Sequence, residues 1–435
     1  MAAAGHRHLD ARPRPSAARR CVRGDRRMKC RHCGAPLDHV LVDLGHQPPS
    51  NAYLSRDQLG EPELYAPLKA LVCDRCWLVQ APAYHRADEL FTPDYAYFSS
   101  VSASWVEHAR RYVAAMIERF GLNGDSFVVE IASNDGYLLQ FVQAAGIPCL
   151  GIEPTASTAA AARARGIETL ELFFGAETGR QLAGTRRSAD LIAANNVLAH
   201  VPDINDFVAG FREALAPEGV ATFEFPHLTR LVDGCQFDTI YHEHYSYLSL
   251  HAVTTIFASQ GLRVFDVEEL PTHGGSLRVF ACRSEAQAHA ASPRVEALLA
   301  RERAAGVTGL AYYGDLQRRA ERVKLDLLSF LVEQRRAGRT FAAYGAAAKG
   351  NTLLNFAGIR PDLLAFVCDA APSKQGRFLP GSHIPILPPQ ALAEQRPDFV
   401  LILPWNLKDE IAAAHGDVAG WGGRFVTAVP ELDVL

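Results

Sequence analysis

The segment 126–143, SFVVEIASNDGYLLQFVQ, decides the fold. Its first residues read as an apolar strand ending at Glu130. A turn of small and polar residues through Gly136 follows, and LLQFVQ opens a helix. Beyond it IPCLGIEPT (147–155) is a second strand with Glu153 near its end. A strand, a small-residue turn at a helix N-terminus and an acid about twenty residues on form a plan for holding an adenosine. The turn lets the backbone come close, the helix end offers free N–H groups, and the acid takes the ribose hydroxyls. The candidate cofactor residues here are Glu130, Ala132, Asn134, Asp135, Gly136 and Glu153. Ala132 and Asn134 stand where glycines are expected, so this motif alone leaves NAD as a rival to S-adenosylmethionine.

Two downstream features favour S-adenosylmethionine. The strand in ADLIAANNVLAHVPD (189–203) ends in Asn195, Asn196 and His200, polar groups at the carboxyl edge where a ligand of a doubly wound sheet lies. GLRVFDVEELPTHGGSLRVFACR (261–283) reads as two strands joined by a Gly-rich hairpin. A terminal hairpin on such a sheet is the arrangement of class I methyltransferases and not of dehydrogenases. Upstream, YAYFSSVSASW (95–105) leads into a helix expected from Ser104 to Phe120, with Val106, Ala109, Tyr112, Val113 and Ile117 on one stripe. Its serine-rich entrance reads equally as a helix cap and as a cover for the cofactor.

Nearer the N-terminus, KCRHCG and VCDRCW place Cys30 and Cys33 about forty residues before Cys73 and Cys76. Two C-x2-C knuckles present four thiolates with tetrahedral zinc spacing. A sphere filled by four sulfurs leaves no position for water, so this zinc is expected to stabilise a fold and not to catalyse. The insert LGHQPPSNAYL (44–54) loops out between the knuckles. The other five of the nine cysteines are scattered singly, which suggests a reducing compartment and no disulfide framework.

The stretch 241–247, YHEHYSY, crowds two imidazoles, a carboxylate and three phenols together. A helical turn would put Tyr241, His244 and Tyr245 on one face, and an extended chain would pair His242 with His244. Histidine is the usual general base near neutral pH. The plainer reading is an aromatic surface loop with solvated histidines, and His200 alone could equally cap a helix.

After an Ala/Arg/Glu-rich connector (284–317) and a long helix expected from Asp315 to Arg336, a second α/β unit begins. RTFAAYGAAAKGNTLLNF (339–356), LLAFVCD (363–369), SKQGRFLPGSHIPI (373–386), DFVLILPWN (398–406) and a last strand RFVTAVPEL (424–432) make it up. A lysine and backbone amides at a helix N-terminus grip phosphate in such domains. The candidate substrate contacts are Lys349, Asn351, Asp369, Lys374 and Arg377.

At 435 residues the chain is long enough for two or three domains. A net charge of −4 supplies no basic field for nucleic acid or anionic lipid, and no apolar run reaches the roughly eighteen residues of a membrane span. Residues 1–27, rich in Arg, Ala and Pro, are expected to be a disordered extension ahead of Met28.

From about Met28 onward the chain resembles the sugar C-methyltransferases that act on nucleoside-diphosphate 4-keto-deoxysugars in antibiotic deoxysugar pathways. The resemblance rests on an ordered series: paired CxxC, LGHQPPSNAYL, YFSSVSASW, EIASNDG, YHEHYSYLS, HGGSLR, YGAAAKGNTLLN, SKQGRFLPGSHIPI and PWN. It implies a zinc-binding domain (28–88), a class I methyltransferase domain binding S-adenosylmethionine (89–286) and a C-terminal α/β sugar-nucleotide domain (287–435) closing on a cleft. It places the family's catalytic histidine on His244, with Tyr241 and Glu243 beside it and Tyr97 and His200 in the cleft. The implied substrate is a small nucleotide sugar, with dTDP the expected carrier, in a cytoplasmic enzyme with no nucleic acid, membrane or protein partner evident. The rivals are an NAD-dependent sugar oxidoreductase, a non-enzymatic carbohydrate-binding protein, and an O-methyltransferase using the same base.

Overall fold

The structure, a computed structural model, describes residues 28–84 and 98–435, so the extension 1–27 and Tyr97 lie outside the described residues. Near the N-terminus β1 (His39–Gln47), β2 (Ala66–Val72) and β3 (Val79–Gln80) form an antiparallel sheet with the two cysteine pairs at its base. These strands were not evident in the sequence. β1 alternates buried and exposed residues imperfectly because its register with β2 slips at Val42 and again before His46.

The central sheet contains β4 (Val128–Ile131), β5 (Cys149–Ile152), β6 (Thr169–Leu170), β7 (Ala189–Asn195) and β8 (Leu215–Pro226). β9 (Ser246–Tyr247) leaves it to pair with β3 and complete the N-terminal sheet. β10 (Leu262–Leu270) and β11 (Ser276–Arg283) form the expected hairpin, and the strand order is β10-β11-β8-β7-β4-β5-β6. β11 runs antiparallel to both neighbours while β4 to β8 are parallel, which is the class I methyltransferase sheet. All four residues of β4 are buried.

The helix Ala103–Phe120 packs on this sheet through Ala109, Tyr112, Val113 and Met116 and ends at Gly121, whose φ of 63° closes the last turn. Met116 takes the place expected of Ile117, which is half-buried. The helix Pro293–Ala305, beyond the expected boundary at residue 287, packs against the central unit. Leu298 lies in the core of the central domain, and the buried Glu302 carboxylate accepts hydrogen bonds from the Leu250 and His251 amides at 2.7 and 2.8 Å. Its Ala/Arg-rich composition hides that narrow apolar face.

The helix Leu316–Arg336, buried along Leu316, Ala320, Val323, Leu327 and Leu331, leads into the C-terminal sheet. This comprises β12 (Phe341–Tyr344), β13 (Val367–Cys368), β14 (Ile386–Leu387), β15 (Phe399–Ile402), β16 (Arg424–Thr427) and β17 (Asp433–Val434), in the order β14-β13-β12-β15-β16-β17. The expected last strand is thus β16 followed by a short antiparallel return. Leu41, Val42 and Leu44 of the N-terminal sheet share one apolar cluster with Leu327, Leu331 and Phe341 of the C-terminal unit.

Candidate active site

A cavity of about 390 Å³ opens where the three units meet, with Asn51 and Tyr53 from the first, His200 and His244 from the second and Lys349 and Lys374 from the third on its walls. The cofactor wall is made by the turn after β4. Ala132 and Asn134 hold φ of 55° and 52°, and Gly136 holds 78°. Two side-chain-bearing residues therefore adopt the left-handed conformation that glycines would take in this turn. At Gly136 a Cβ would lie 2.4 Å from Ile167 Cδ1, so that position also has no room for a side chain.

Glu153 accepts hydrogen bonds from the Asn134 amide (2.9 Å) and the Thr155 amide (2.8 Å), which fix its carboxylate on the cavity wall. Asn195 and Asn196 also line the cavity, and among the described residues each has a buried Oδ1 with no hydrogen-bond partner. Free acceptors beside a buried carboxylate suit the ammonium and amine donors of S-adenosylmethionine. Glu130, Asp135 and Gly136 lie behind this wall. Burial pushes the Glu130 carboxyl well above the usual range, and the Asp135 carboxylate accepts from Ser100 Oγ.

The serine-rich entrance caps its helix and also touches the turn after β4. Ser102 Oγ accepts from the Trp105 amide at 3.3 Å as a cap, while the Ser99 amide donates to Asn134 Oδ1 at 2.8 Å.

The chemical wall is the YHEHYSY turn. The His244 amide donates to the Tyr241 carbonyl at 2.9 Å, and the two rings lie 3.9 Å apart. Tyr241, Glu243 and His244 line the cavity. His242 is turned toward the Pro67 carbonyl, and Tyr245 lies under the Arg31 guanidinium. His244 Nδ1 lies 2.8 Å from the Thr239 carbonyl, an acceptor only, so Nδ1 carries the hydrogen and Nε2 carries the lone pair. Burial, and His200 beside it, depress the proton affinity of His244 well below the ordinary histidine value, so the ring is neutral at neutral pH.

The His200 ring stands edge-on at 4.6 Å from His244, and burial lowers its pKa to about 4. The orienting partner of His244 is thus the Thr239 backbone and not the Glu243 side chain, whose two oxygens accept from Asn51 Nδ2.

His273, absent from the sequence candidates, also lines the cavity. It has a φ of 55° and sits 3.0 Å from Asn196 Nδ2, and burial lowers its pKa to about 4. Its HGGSLR context reads as a hairpin and as one motif of the family resemblance, neither of which marks the histidine itself. Asn51 and Tyr53 were missed for a different reason: they belong to the zinc-side insert, far from the site in sequence.

The third wall is the N-terminus of the helix Ala348–Ala357, where Ala347 offers no capping side chain. Lys349 Nζ lies 2.6 Å from Asn406 Oδ1 and 4.7 Å from the Trp405 ring centroid, and burial lowers its proton affinity. Lys374 Nζ lies 3.0 Å from the Ala346 carbonyl. Asn351, Asp369 and Arg377 are not on the cavity. Asn351 donates to the Ser50 carbonyl, Asp369 accepts from the Ala346 and Ala371 amides, and Arg377 is exposed.

Away from the cavity, the sulfurs of Cys30, Cys33, Cys73 and Cys76 all lie within 4.8 Å of one another, with Cys30–Cys76 and Cys33–Cys73 at 3.5 Å. A tetrahedron with zinc–sulfur bonds of about 2.3 Å has edges of about 3.8 Å, so the four thiols fit zinc.

Three family models match in order along the chain: a zinc binding domain over residues 30–91, a methyltransferase domain over 105–267 and the C-methyltransferase C-terminal domain over 271–430. The C-methyltransferase NovU of Streptomyces niveus is 37% identical over 407 residues, spanning 94% of this chain and 96% of that protein. The chain belongs to the C-methyltransferase family. This C-methyltransferase uses S-adenosylmethionine and carries structural zinc in its N-terminal unit, and its substrate is a small molecule.

Likeness to solved structures is partial. The PH0226 protein of Pyrococcus horikoshii OT3 gives a TM-score of 0.36 at 13% identity over 43% of this chain and 95% of that one. Magnesium protoporphyrin IX methyltransferase of Synechocystis PCC 6803 gives 0.32 at 15% identity over 41% and 79%. No described helix of the C-methyltransferase is long and apolar enough to cross a membrane.

Proposed function

We propose that this C-methyltransferase methylates the carbon next to the ketone of a nucleoside-diphosphate 4-keto-deoxysugar, with dTDP as the expected carrier. The observation that carries the reading is His244: a neutral imidazole whose tautomer is fixed by the Thr239 carbonyl, on a cavity shared by a cofactor wall and a lysine-bearing wall. Glu153, Asn195, Asn196 and the turn from Ala132 to Asn134 hold S-adenosylmethionine, which when bound supplies an electrophilic methyl group.

His244 Nε2 removes the proton from the carbon beside the ketone, and Thr239 stabilises the imidazolium through Nδ1–H. The electron pair of the broken C–H bond moves onto the ketone oxygen, where Tyr241 or His200 donates a hydrogen bond. That carbon then accepts the methyl group, the carbonyl re-forms, and the proton passes from His244 to solvent. Lys349, Lys374 and the free amides of the helix Ala348–Ala357 hold the diphosphate. Tyr97 remains a cleft residue by resemblance. NAD chemistry has no support, because GAAAKG lacks the three-glycine spacing of a dinucleotide turn.

The test offers carbon-13 methyl donor with a panel of 4-keto nucleotide sugars and reads products by NMR. A new carbon–carbon bonded methyl is expected. His244→Ala is expected to lower turnover about a hundredfold or more while leaving S-adenosylmethionine affinity within a few-fold. Near-normal turnover in that variant would remove the role given to His244.

A further inference from the structure

Residues 48–65 connect β1 to β2 in the zinc-binding unit, yet the beginning of this link forms part of the active-site wall through Asn51 and Tyr53. Several bonds to the C-terminal unit fix it there. The Tyr53 hydroxyl donates to the Ala346 carbonyl at 2.6 Å, Asn351 Nδ2 donates to the Ser50 carbonyl at 3.2 Å, and Leu54 exchanges two backbone hydrogen bonds with Phe378.

From this anchored link Asn51 Nδ2 reaches both oxygens of Glu243, at 2.9 and 2.8 Å. With Nδ2 on the carboxylate, the Asn51 amide turns its Oδ1 toward the Tyr53 hydroxyl 3.3 Å away, whose hydrogen goes to the Ala346 carbonyl. Glu243 is 2% exposed. A carboxylate buried to that degree tends to take up a proton, and donors to its charged form oppose this. An amide straddling both oxygens does so without adding charge and also fixes the plane of the carboxylate.

The Thr239 carbonyl, and not Glu243, lies against His244 Nδ1, so a role for Glu243 other than orienting His244 follows. We propose that Asn51 is a positioning residue of the reaction: from the zinc-binding unit it holds Glu243 as an anion aimed into the cavity, where the carboxylate accepts a hydrogen bond from a hydroxyl of the sugar ring. This rests on the reading that a nucleotide sugar occupies the cavity. The first unit thereby contributes to substrate selection as well as to folding.

The other titratable groups on the walls about Glu243 come from every unit. They are Tyr53 on the link, His200 after β7, Tyr241 and His244 on the same turn, and Lys349 and Lys374 from the C-terminal unit. His273 and Glu153 belong to the cofactor side of the same cavity.

The experiment compares full-length wild type with Asn51→Ala, Asn51→Asp, Asn51→Gln and Glu243→Gln. Steady-state rates are measured from about pH 5.5 to 9 with varied 4-keto nucleotide sugar and saturating S-adenosylmethionine. Asn51→Ala is expected to raise KM for the sugar about tenfold, with a smaller effect on kcat and S-adenosylmethionine binding within a few-fold of wild type. Its acid limb of kcat/KM is expected to move to higher pH, because Glu243 without its donor protonates more readily. Asn51→Asp should move it further, Asn51→Gln should recover part of the loss, and Glu243→Gln should raise KM as Asn51→Ala does. Thermal midpoints of the same variants over the same pH range separate a fold defect from a shift of the acid limb, because the positioning role moves the limb while the variant stays folded.

If wild type turns over the sugar while Asn51→Ala and Glu243→Gln both keep its KM and acid limb, the positioning role is overturned and the proposed function stands. If wild type methylates no 4-keto nucleotide sugar, the proposed function falls and the inference with it.

Discussion

Ala132 occupies backbone space that an L-residue enters at a cost of about 1–2 kcal/mol, and it does so within the turn that carries the cofactor wall. Replacing Ala132 with Gly relieves that cost but loosens the unfolded chain by about 0.5–1 kcal/mol, so a net gain of roughly 0.5–1 kcal/mol is expected. Calorimetry should then show a thermal midpoint about 1–3 °C higher, and a lower midpoint would contradict the strain. At this scale the sequence was informative where a side chain performs the proposed function. Glu153, Asn195 and Asn196 at the end of β7, and His244, all on the cavity wall, announce themselves by type and position. It was silent where a backbone atom performs it: the Thr239 carbonyl that fixes the His244 tautomer could be any residue's, and no residue type marks it. Asn51 was visible but unassignable, since nothing local says which carboxylate an amide about 190 residues away will meet.

Strands and turns show the same division. β4 and the β10–β11 hairpin were legible because a continuous apolar run and a Gly-rich turn are local signals. β9 was not, because two residues from the catalytic turn become a strand only when β3 offers an edge. The cysteine knuckles bracket β1 and β2, so the metal ties together the two ends of the excursion that bears Asn51 and Tyr53. Cys30→Ser or Cys76→Ser is expected to lower the thermal midpoint by several degrees and reduce the soluble yield, since binding the ion contributes to folding. Residual soluble enzyme should keep S-adenosylmethionine affinity, because none of the four sulfurs lines the cavity. Full thermal stability after chelation would contradict this.

For the molecule as a whole, buried imidazoles set the acid limit. His200 and His273 are lowered from 6.5 to about 4, chiefly by burial. A lowered folded value favours the neutral form, so the contribution is complete above pH 6.5 and is lost as pH falls toward 4. At about 1.4 kcal/mol for each pH unit between the two values, each amounts to roughly 3 kcal/mol. His244 adds in the same direction. Asp238, pushed up to about 6 by burial, and Glu130, pushed well above the usual carboxylate range, work oppositely and gain as pH falls. The three histidines outnumber the two acids, and the thermal midpoint is expected to fall between pH 6.5 and 4.5. A flat profile across that window would show that the rings are already charged in the folded state.

The apolar cluster that joins Leu41, Val42 and Leu44 to Leu327 and Phe341 makes the two ends of the chain one another's support, and the β3–β9 pairing ties the head to the middle. Chimeras between relatives that graft a new C-terminal half alone would therefore juxtapose mismatched hydrophobic surfaces. Transplanting head and tail as a matched pair, together with the segment from Leu228 to Leu248 on which the head also packs, is the recombination this architecture tolerates.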